Sequence, residues 1–401
     1  MKMGTKTFIV ECRDGIVARD SRPFGKNKGN HAYSLDWPFP STLAGALRTF
    51  MGKRLGGIFD QGMIKKLKNL QVMGGFPTKD GSVYLPAPSD AVFSRDGDYP
   101  YTYTRYPVLP EFLDDGEGCD LPAPSLQPAF LSDGGRDDFK PPKESPTFWS
   151  LDEIESWLTD QPEPKTFDSV GGHPFMGLPP KEKRVHVSID PDTRTALEHH
   201  LFSISRIALP TGVGLLIGCE YDSSKPGKDL VEELPAHFIT TLGGQRRLAS
   251  WEEKSNGAKS LWSCPGNISH VLGESKAVRM LLVTPALFKN GWVPGWLEKD
   301  DAGMLKGNPP SLNAGGGLEL ELVSACIGNW QPISGWSYET KGEKKLHRLV
   351  PAGSVYFFRI ASGSANDLEK AWMKAVSDEL QDRMDGFGLA VWGNWNGNDE
   401  S

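Results

Sequence analysis

The sequence predicts an α+β protein built from two ferredoxin-like (RRM-like) βαββαβ units, the first carrying a long insertion. Three observations lead there. Strand-like runs and helical runs follow one another in a similar order along both halves. Each half closes with a helix, a glycine-rich turn and a final strand. Residues 96–183 depart from that plan, because prolines, aspartates and glycines replace periodic apolar residues. The expected division is 1–262 for the first unit, insertion included, and 270–401 for the second.

Residues 7–12 (TFIVEC) read as the first strand, and a loop from Asp14 to Pro40 leads into the first helix. Pro40 precedes that helix, Ser41 is its expected N-cap, and Leu43, Ala46, Leu47, Phe50, Met51 and Leu55 repeat at helical spacing. That stripe must face a core. On the other side fall Gly45, Arg48 and Gly52. A glycine inside a helix costs about 1 kcal/mol, so something is expected to approach this face: a neighbouring helix, or a polyanion lying against backbone and Arg48.

In the run 73–93 (MGGFPTKDGSVYLPAPSDAVF), Lys79, Asp80 and Gly81 suit a hairpin turn. The insertion follows, with one helix expected at 150–158. A structureless connection of that length is unusual inside a compact domain, so the segment reads as an inserted lobe or arm. Residues 184–209 alternate as strand, turn and strand, 213–220 supply another strand, 228–241 a helix, and 242–250 (LGGQRRLAS) a turn into the next strand. The second half offers strands at 277–284, 317–327 and 354–360, a helix at 365–381, and the terminal GFGLAVWGNW at 386–395.

The 401 residues carry a net charge of −7, so bulk charge gives no hint of a nucleic-acid partner. Local charge does. Arg13, Arg19, Arg22, Lys26 and Lys28 share one segment with only Asp14 and Asp20, and Arg48, Lys53, Arg54, Lys65, Lys66 and Lys68 follow with only Asp60. The five cysteines are scattered and form no CxxC, which argues against a disulfide framework or structural zinc. No cofactor and no metal are expected. The first ten residues lack an apolar signal core and the longest apolar run, 207–219, is broken by Pro210 and glycines, so no membrane association and a cytoplasmic setting are expected.

The chain has no GxxxxGK[ST], HExxH or GxSxG. Nucleotide hydrolysis, zinc proteolysis and α/β-hydrolase chemistry therefore have no anchor. Gly243, Gly244, Gln245, Arg246 and Arg247 fit a phosphate cradle, with glycine amides approaching an anion and arginines forking onto its oxygens; a helix C-cap followed by surface arginines explains the same string. Gly386, Phe387 and Gly388 read either as a C-cap or as amides facing phosphates with Phe387 beside a base. Among eight histidines none forms an i,i+4 metal pair, and a lone histidine such as His31 is open to a role as general base in RNA cleavage. Trp37 and Phe39 beside the basic loop are the aromatic residues placed to stack on a base.

Six segments in order resemble the RAMP-superfamily third subunit of the type III-B CRISPR effector, the Cmr complex. They are RDSRPF from Arg19, WPFPSTLAGALRT from Trp37, YLPAPSD from Tyr84, HVSIDPDTRTALEHHLF from His186, GGQRR from Gly243 and GFGLAVWG from Gly386. The resemblance omits the insertion and much of 221–278, and Gln245 stands where the family more often has an acid. It implies a non-catalytic subunit that holds the 5′ tag of the CRISPR RNA and bridges the large polymerase-like, cyclase-like subunit to the backbone RAMP subunit. Carried over by position, the RNA-binding residues are Arg19, Arg22, Lys26, Lys28, Arg48, Gly243, Gly244, Arg246, Arg247, Gly386 and Gly388. A processing endoribonuclease, or an adaptor that binds its partner through the acidic insertion, are the competing readings.

Overall fold

The computed structural model describes residues 4–19, 22, 31–113, 116–131, 139–143, 145–159, 163–221, 229–254, 261–312, 317–337, 339–340, 342–395 and 397. Two antiparallel sheets dominate it. The first has eight strands, in the order Phe175–Met176, Phe148–Ser150, Ser82–Pro86, Gln71–Lys79, Val213–Tyr221, Gly4–Cys12, Leu248–Glu253, His237–Thr241. The second has seven: Leu297–Lys299, Leu305–Gly307, Glu319–Cys326, Val355–Ser362, Ala277–Leu282, Leu389–Asn394, Lys374–Ala375. At the centre of the first, Gln71–Lys79, Val213–Tyr221, Gly4–Cys12 and Leu248–Glu253 lie side by side, and at the centre of the second Glu319–Cys326, Val355–Ser362, Ala277–Leu282 and Leu389–Asn394 repeat that arrangement, all antiparallel.

Alternation along the strands decides what each sheet covers. Phe8 and Val10 point inward with Leu215, Ile217 and Trp251, and helix Pro40–Arg54 closes this core with Leu43, Leu47 and Met51. Each such fully buried side chain contributes about 1.5–3 kcal/mol. The helix begins differently from expectation: Phe39 is the N-cap, Pro40 is already helical, and no side chain caps it, because proline is preorganised for the first turn and has no amide to satisfy. Its two glycines also differ from each other. A Cβ on Gly52 would lie 2.4 Å from the Phe59 ring, whereas one on Gly45 would meet nothing within 4 Å. Asp80 and Gly81 adopt positive φ in the expected hairpin turn between Gln71–Lys79 and Ser82–Pro86.

Two expected helices change. The stretch 228–241 holds only helix Asp229–Glu232, followed by strand His237–Thr241, whose Phe238 is an inward residue of an edge strand. The stretch 365–381 splits into a 3-10 helix, Ala365–Ala371, the short strand Lys374–Ala375, and helix Leu380–Met384. Among the described residues no helix joins Ala277–Leu282 to Glu319–Cys326; a hairpin, Leu297–Lys299 with Leu305–Gly307, stands there instead.

The insertion is folded into the body rather than projecting as an arm. Its helix, Leu151–Thr159, is close to expectation, and Phe93, Trp149, Ile154, Trp157 and Phe175 belong to one large core with Val278, Met280, Phe357 and Trp392 of the second sheet. Buried charge pins it there. Arg279 pairs with Asp90 at 2.9 Å and Trp157 donates its indole N–H to Asp90 at 2.9 Å, while Arg105 pairs with Glu153 within the insertion itself. Leu261 and Ile268, on either side of the expected boundary at 262–270, sit in that same core.

Candidate nucleic-acid interface

The basic loop after the first strand is anchored at both ends. Ile16 exchanges two backbone hydrogen bonds with Ile207 at 2.9 Å, the Ser34 hydroxyl bonds the Ala18 carbonyl at 3.0 Å, and Leu35 donates to the same carbonyl at 2.7 Å. From this base Arg19 donates to the Arg22 carbonyl at 3.2 Å, and the Arg22 guanidinium lies 3.6 Å from the centre of the Tyr33 ring. A cation over an aromatic face is held there by the ring's quadrupole. Lys26 and Lys28 lie outside the described residues.

The GGQRR string is a hairpin loop between His237–Thr241 and Leu248–Glu253, not a helix C-cap. Gly243 has φ +71°, and a Cβ there would sit 2.6 Å from the Val17 carbonyl oxygen, the acceptor that takes the Gly244 N–H at 2.7 Å. These glycines bring the chain close to its own loop. Arg247 pairs with Asp14 at 2.6 Å, and so does the fully buried Arg206 at 2.7 Å. Burial, the largest single influence, pushes the Asp14 pKa up, but the Gly15 N–H and the two guanidinium groups together outweigh it and hold it below the usual carboxylate range. Arg246, exposed and at φ +51°, makes no hydrogen bond or ion pair among the described residues.

Arg48 is engaged elsewhere. It ion-pairs with Asp385 and donates to the carbonyls of Leu70 at 2.8 Å and Met384 at 2.9 Å, which ties the first helix to the end of the chain. Gly386 and Gly388 lie beside that clamp. A Cβ on Gly386 would fall 2.4 Å from the Val72 oxygen, and one on Gly388 2.5 Å from the Ser377 hydroxyl. Phe387 is buried against Phe39, so neither ring is open to a base. Arg19, Arg22, Gly243, Gly244, Arg246 and Arg247 thus gather around the first loop, while Arg48, Gly386 and Gly388 form a second cluster.

Residues 34–40 join the two clusters and line a cleft of about 750 Å³ between the sheets. Arg22 and Lys181 stand at its walls, with Trp37, Phe148, Thr284 and Pro285. Lys181 pairs with Asp36 at 2.6 Å, and Thr284 donates to the Gly386 carbonyl at 2.8 Å, so the second cluster backs the cleft. The floor is a β-bulge: the register between Gln71–Lys79 and Val213–Tyr221 skips Gly75, whose carbonyl accepts the Trp37 indole N–H at 2.7 Å. A Cβ on Gly75 would lie 2.4 Å from Leu43. Gly74, Gly75 and Lys181 were not singled out from sequence; the one local signal was the paired glycine inside an otherwise apolar strand.

His31 is fixed on both nitrogens, Nδ1 to the Ser203 hydroxyl at 2.6 Å and Nε2 to that of Ser205 at 2.9 Å. Among the described residues no group of three or more histidine, cysteine, aspartate or glutamate side chains is arranged to hold a metal ion, and no helix is long and apolar enough to cross a membrane.

Comparison with known proteins bears on identity. A family model described as CRISPR-associated protein (Cas_Cmr3) matches residues 8–395. No curated protein matches. Similar solved structures include a chain of a type III-B Cmr-beta complex bound to cognate target RNA, at 15% identity over 96% of this chain and 96% of that one, TM-score 0.47. Another is from Cmr-beta bound to cognate target RNA and AMPPnP, at 15% identity over 88% and 86%, TM-score 0.47. A Csm3-Csm4 subcomplex of the type III-A interference complex matches at 12% identity over 98% and 99%, TM-score 0.39. With nearly its whole length matched by one family model, the chain belongs to the Cas_Cmr3 family of CRISPR-associated proteins, the type III-B Cmr subunits that its six motifs resemble.

Proposed function

We propose that this protein is a non-catalytic RNA-binding subunit of the Cmr effector, working in the cytoplasm in antiviral defence. It holds the 5′ tag of the CRISPR RNA and bridges the large polymerase-like subunit to the backbone RAMP subunit. Two ferredoxin-like units carry the site, a reading supported by the shared strand order of the two sheets. The observation that carries the proposal is the meeting of the Arg22 and Tyr33 pair with the 750 Å³ cleft between the sheets. An unpaired RNA end needs cations along its backbone and apolar faces for its bases. Arg22 and Lys181 supply the first, with Arg246 on the turn docked to the same loop, and the half-buried Trp37 and the surrounding prolines supply the second. Arg48 and Arg247 act indirectly, by fixing the two clusters in place.

The endoribonuclease reading, with His31 as general base, is the less favoured one, because each His31 nitrogen would have to exchange a serine hydroxyl for the RNA 2′-hydroxyl. Purified protein incubated with repeat RNA without metal is expected to give no product. For the proposed role, Arg22→Ala and Arg246→Ala are each expected to weaken tag binding by about 1 kcal/mol and to lower the slope of log affinity against log salt by about 0.7, as one lost single-strand phosphate contact should. Unchanged affinity and slope in both variants would remove these residues from the site.

A further inference from the structure

A second cleft, of about 540 Å³, opens on the other sheet where helix Gly266–Glu274 ends; Glu274, Lys276, Arg359, Ile360 and Trp395 line it. It shares no lining residue with the cleft at 34–40. We infer that this cleft binds a phosphate-bearing ligand of mononucleotide size, with Arg359 and Lys276 as its cationic contacts.

Arg359 carries the argument. Strand Val355–Ser362 sets it opposite Ala277 on one side and Glu321 on the other. The acid that would neutralise it is taken, for Glu321 pairs with Lys306 at 3.4 Å. Among the described residues the Arg359 guanidinium has no hydrogen bond and no ion pair; one terminal nitrogen is shielded from water without an acceptor, and the nearest aromatic partner is the Phe112 ring, 5.8 Å away. Leaving such a donor unsatisfied costs about 1–3 kcal/mol, more when it is charged. The other guanidinium nitrogens are not shielded, and they are the donors that an anion in the cleft would meet.

Lys276, exposed at the same wall, also has no carboxylate partner among the described residues. The Ser275 hydroxyl is spent on the Val271 carbonyl at 2.6 Å, which leaves the two cations as the charged donors. Glu274 is the acidic side chain of the lining. It disfavours a bare anion and suits a ligand that also carries hydroxyl or amino donors. Ile360, Val271 and Trp395 add apolar wall for a base, and the volume lies in the range of about 300–1,000 Å³ typical of small-ligand sites. A free mononucleotide and a nucleotide of an RNA strand present this same chemistry.

Calorimetric titration of the purified full-length chain tests it, with AMP, inorganic phosphate and a short 5′-hydroxyl oligoribonucleotide as probes. AMP is expected to bind saturably to wild type and to Arg22→Ala, with phosphate competing, and to bind roughly tenfold or more weakly to Arg359→Gln and Lys276→Gln, equivalent to about 1.4 kcal/mol. Lys276 is exposed, so its variant decides the matter even if Arg359→Gln misfolds. Competition between the oligoribonucleotide and AMP that is lost in Lys276→Gln assigns the ligand to an RNA strand; AMP binding without that competition assigns it to a free nucleotide. The inference is overturned if no probe binds wild type, if the variants bind as wild type does, or if citrate displaces AMP while phosphate does not, which would mark a carboxylate site.

Discussion

Replacing Asp90 with alanine should unseat the insertion from the second sheet. The side chain is completely buried (0% exposed), and its two oxygens accept from the Trp157 indole and from Arg279, which is 1% exposed. Removing one partner of a buried ion pair leaves an uncompensated charge and costs about 3–5 kcal/mol. Arg279 keeps a hydrogen bond to the Trp157 carbonyl, so the lower end is expected. With an unfolding entropy of about 2.1 cal/mol/K for each of 401 residues, this amounts in a melting experiment followed by tryptophan fluorescence to a fall of about 4 °C. Replacing both charges, with Asp90→Leu and Arg279→Met together, should recover much of the loss, because an apolar pair of similar volume fills the same space without stranded charge. The reasoning fails if Asp90→Ala melts within roughly 2 °C of wild type, or if the double variant loses the full sum of the two single losses.

Other expectations follow from the same contacts. Burial, and then the neighbouring Asp385 carboxylate, push the Asp382 pKa up to about 6 against partial relief from His347 and Lys344. The native carboxyl therefore holds its proton more tightly than the unfolded chain, and stability falls as pH rises from about 4 to about 6. Asp382→Asn should raise the melting temperature near neutral pH by the equivalent of about 1–2 kcal/mol after solvent screening, with the gain vanishing near pH 4. Asp14→Asn strips charge from beside the fully buried Arg206 and should destabilise by a few kcal/mol; the wild-type contribution is present above about pH 3.9 and lost as pH falls through the depressed native pKa, which an acid-unfolding series would trace. Gly45→Ala should stabilise the isolated chain by about 0.4–1 kcal/mol, because its Cβ meets open space on a helix, whereas Gly386→Ala, at φ +90° and 2.4 Å from the Val72 oxygen, should cost about 1–3 kcal/mol; chemical denaturation separates the two signs.

Local pattern made the strands legible. Residues 7–12, the Asp80 and Gly81 turn and the long hairpin of Lys181–Ile189 with Ala196–Ile207 all lie where alternation and turn chemistry put them. What stayed hidden depends on partners distant in sequence. Residues 228–241 look helical until Phe238 finds Phe8 and Trp251 across a sheet. The insertion looks unstructured because its apolar residues are few, yet Trp149 and Trp157 are buried against strands more than a hundred residues later. Deleting 100–180 would therefore open the main core as well as remove an acidic surface.

The candidate site was legible in the same uneven way. Its segments were found, but the roles of Arg48 and Arg247 were set by Asp385 and Asp14, which lie 337 and 233 residues away from them in the chain. Nothing local to either arginine announces an ion pair. The cleft itself arises from a single bulged glycine and from loops of both halves, an arrangement that no spacing rule encodes.

The most direct test is crosslinking in the assembled Cmr complex with a photoreactive 5′ tag, followed by peptide mapping. The account predicts adducts on peptides spanning 31–40 and 178–184, with the yield reduced in Arg22→Ala. Adducts confined to surfaces away from the cleft, with the Arg22→Ala yield unchanged, would contradict it.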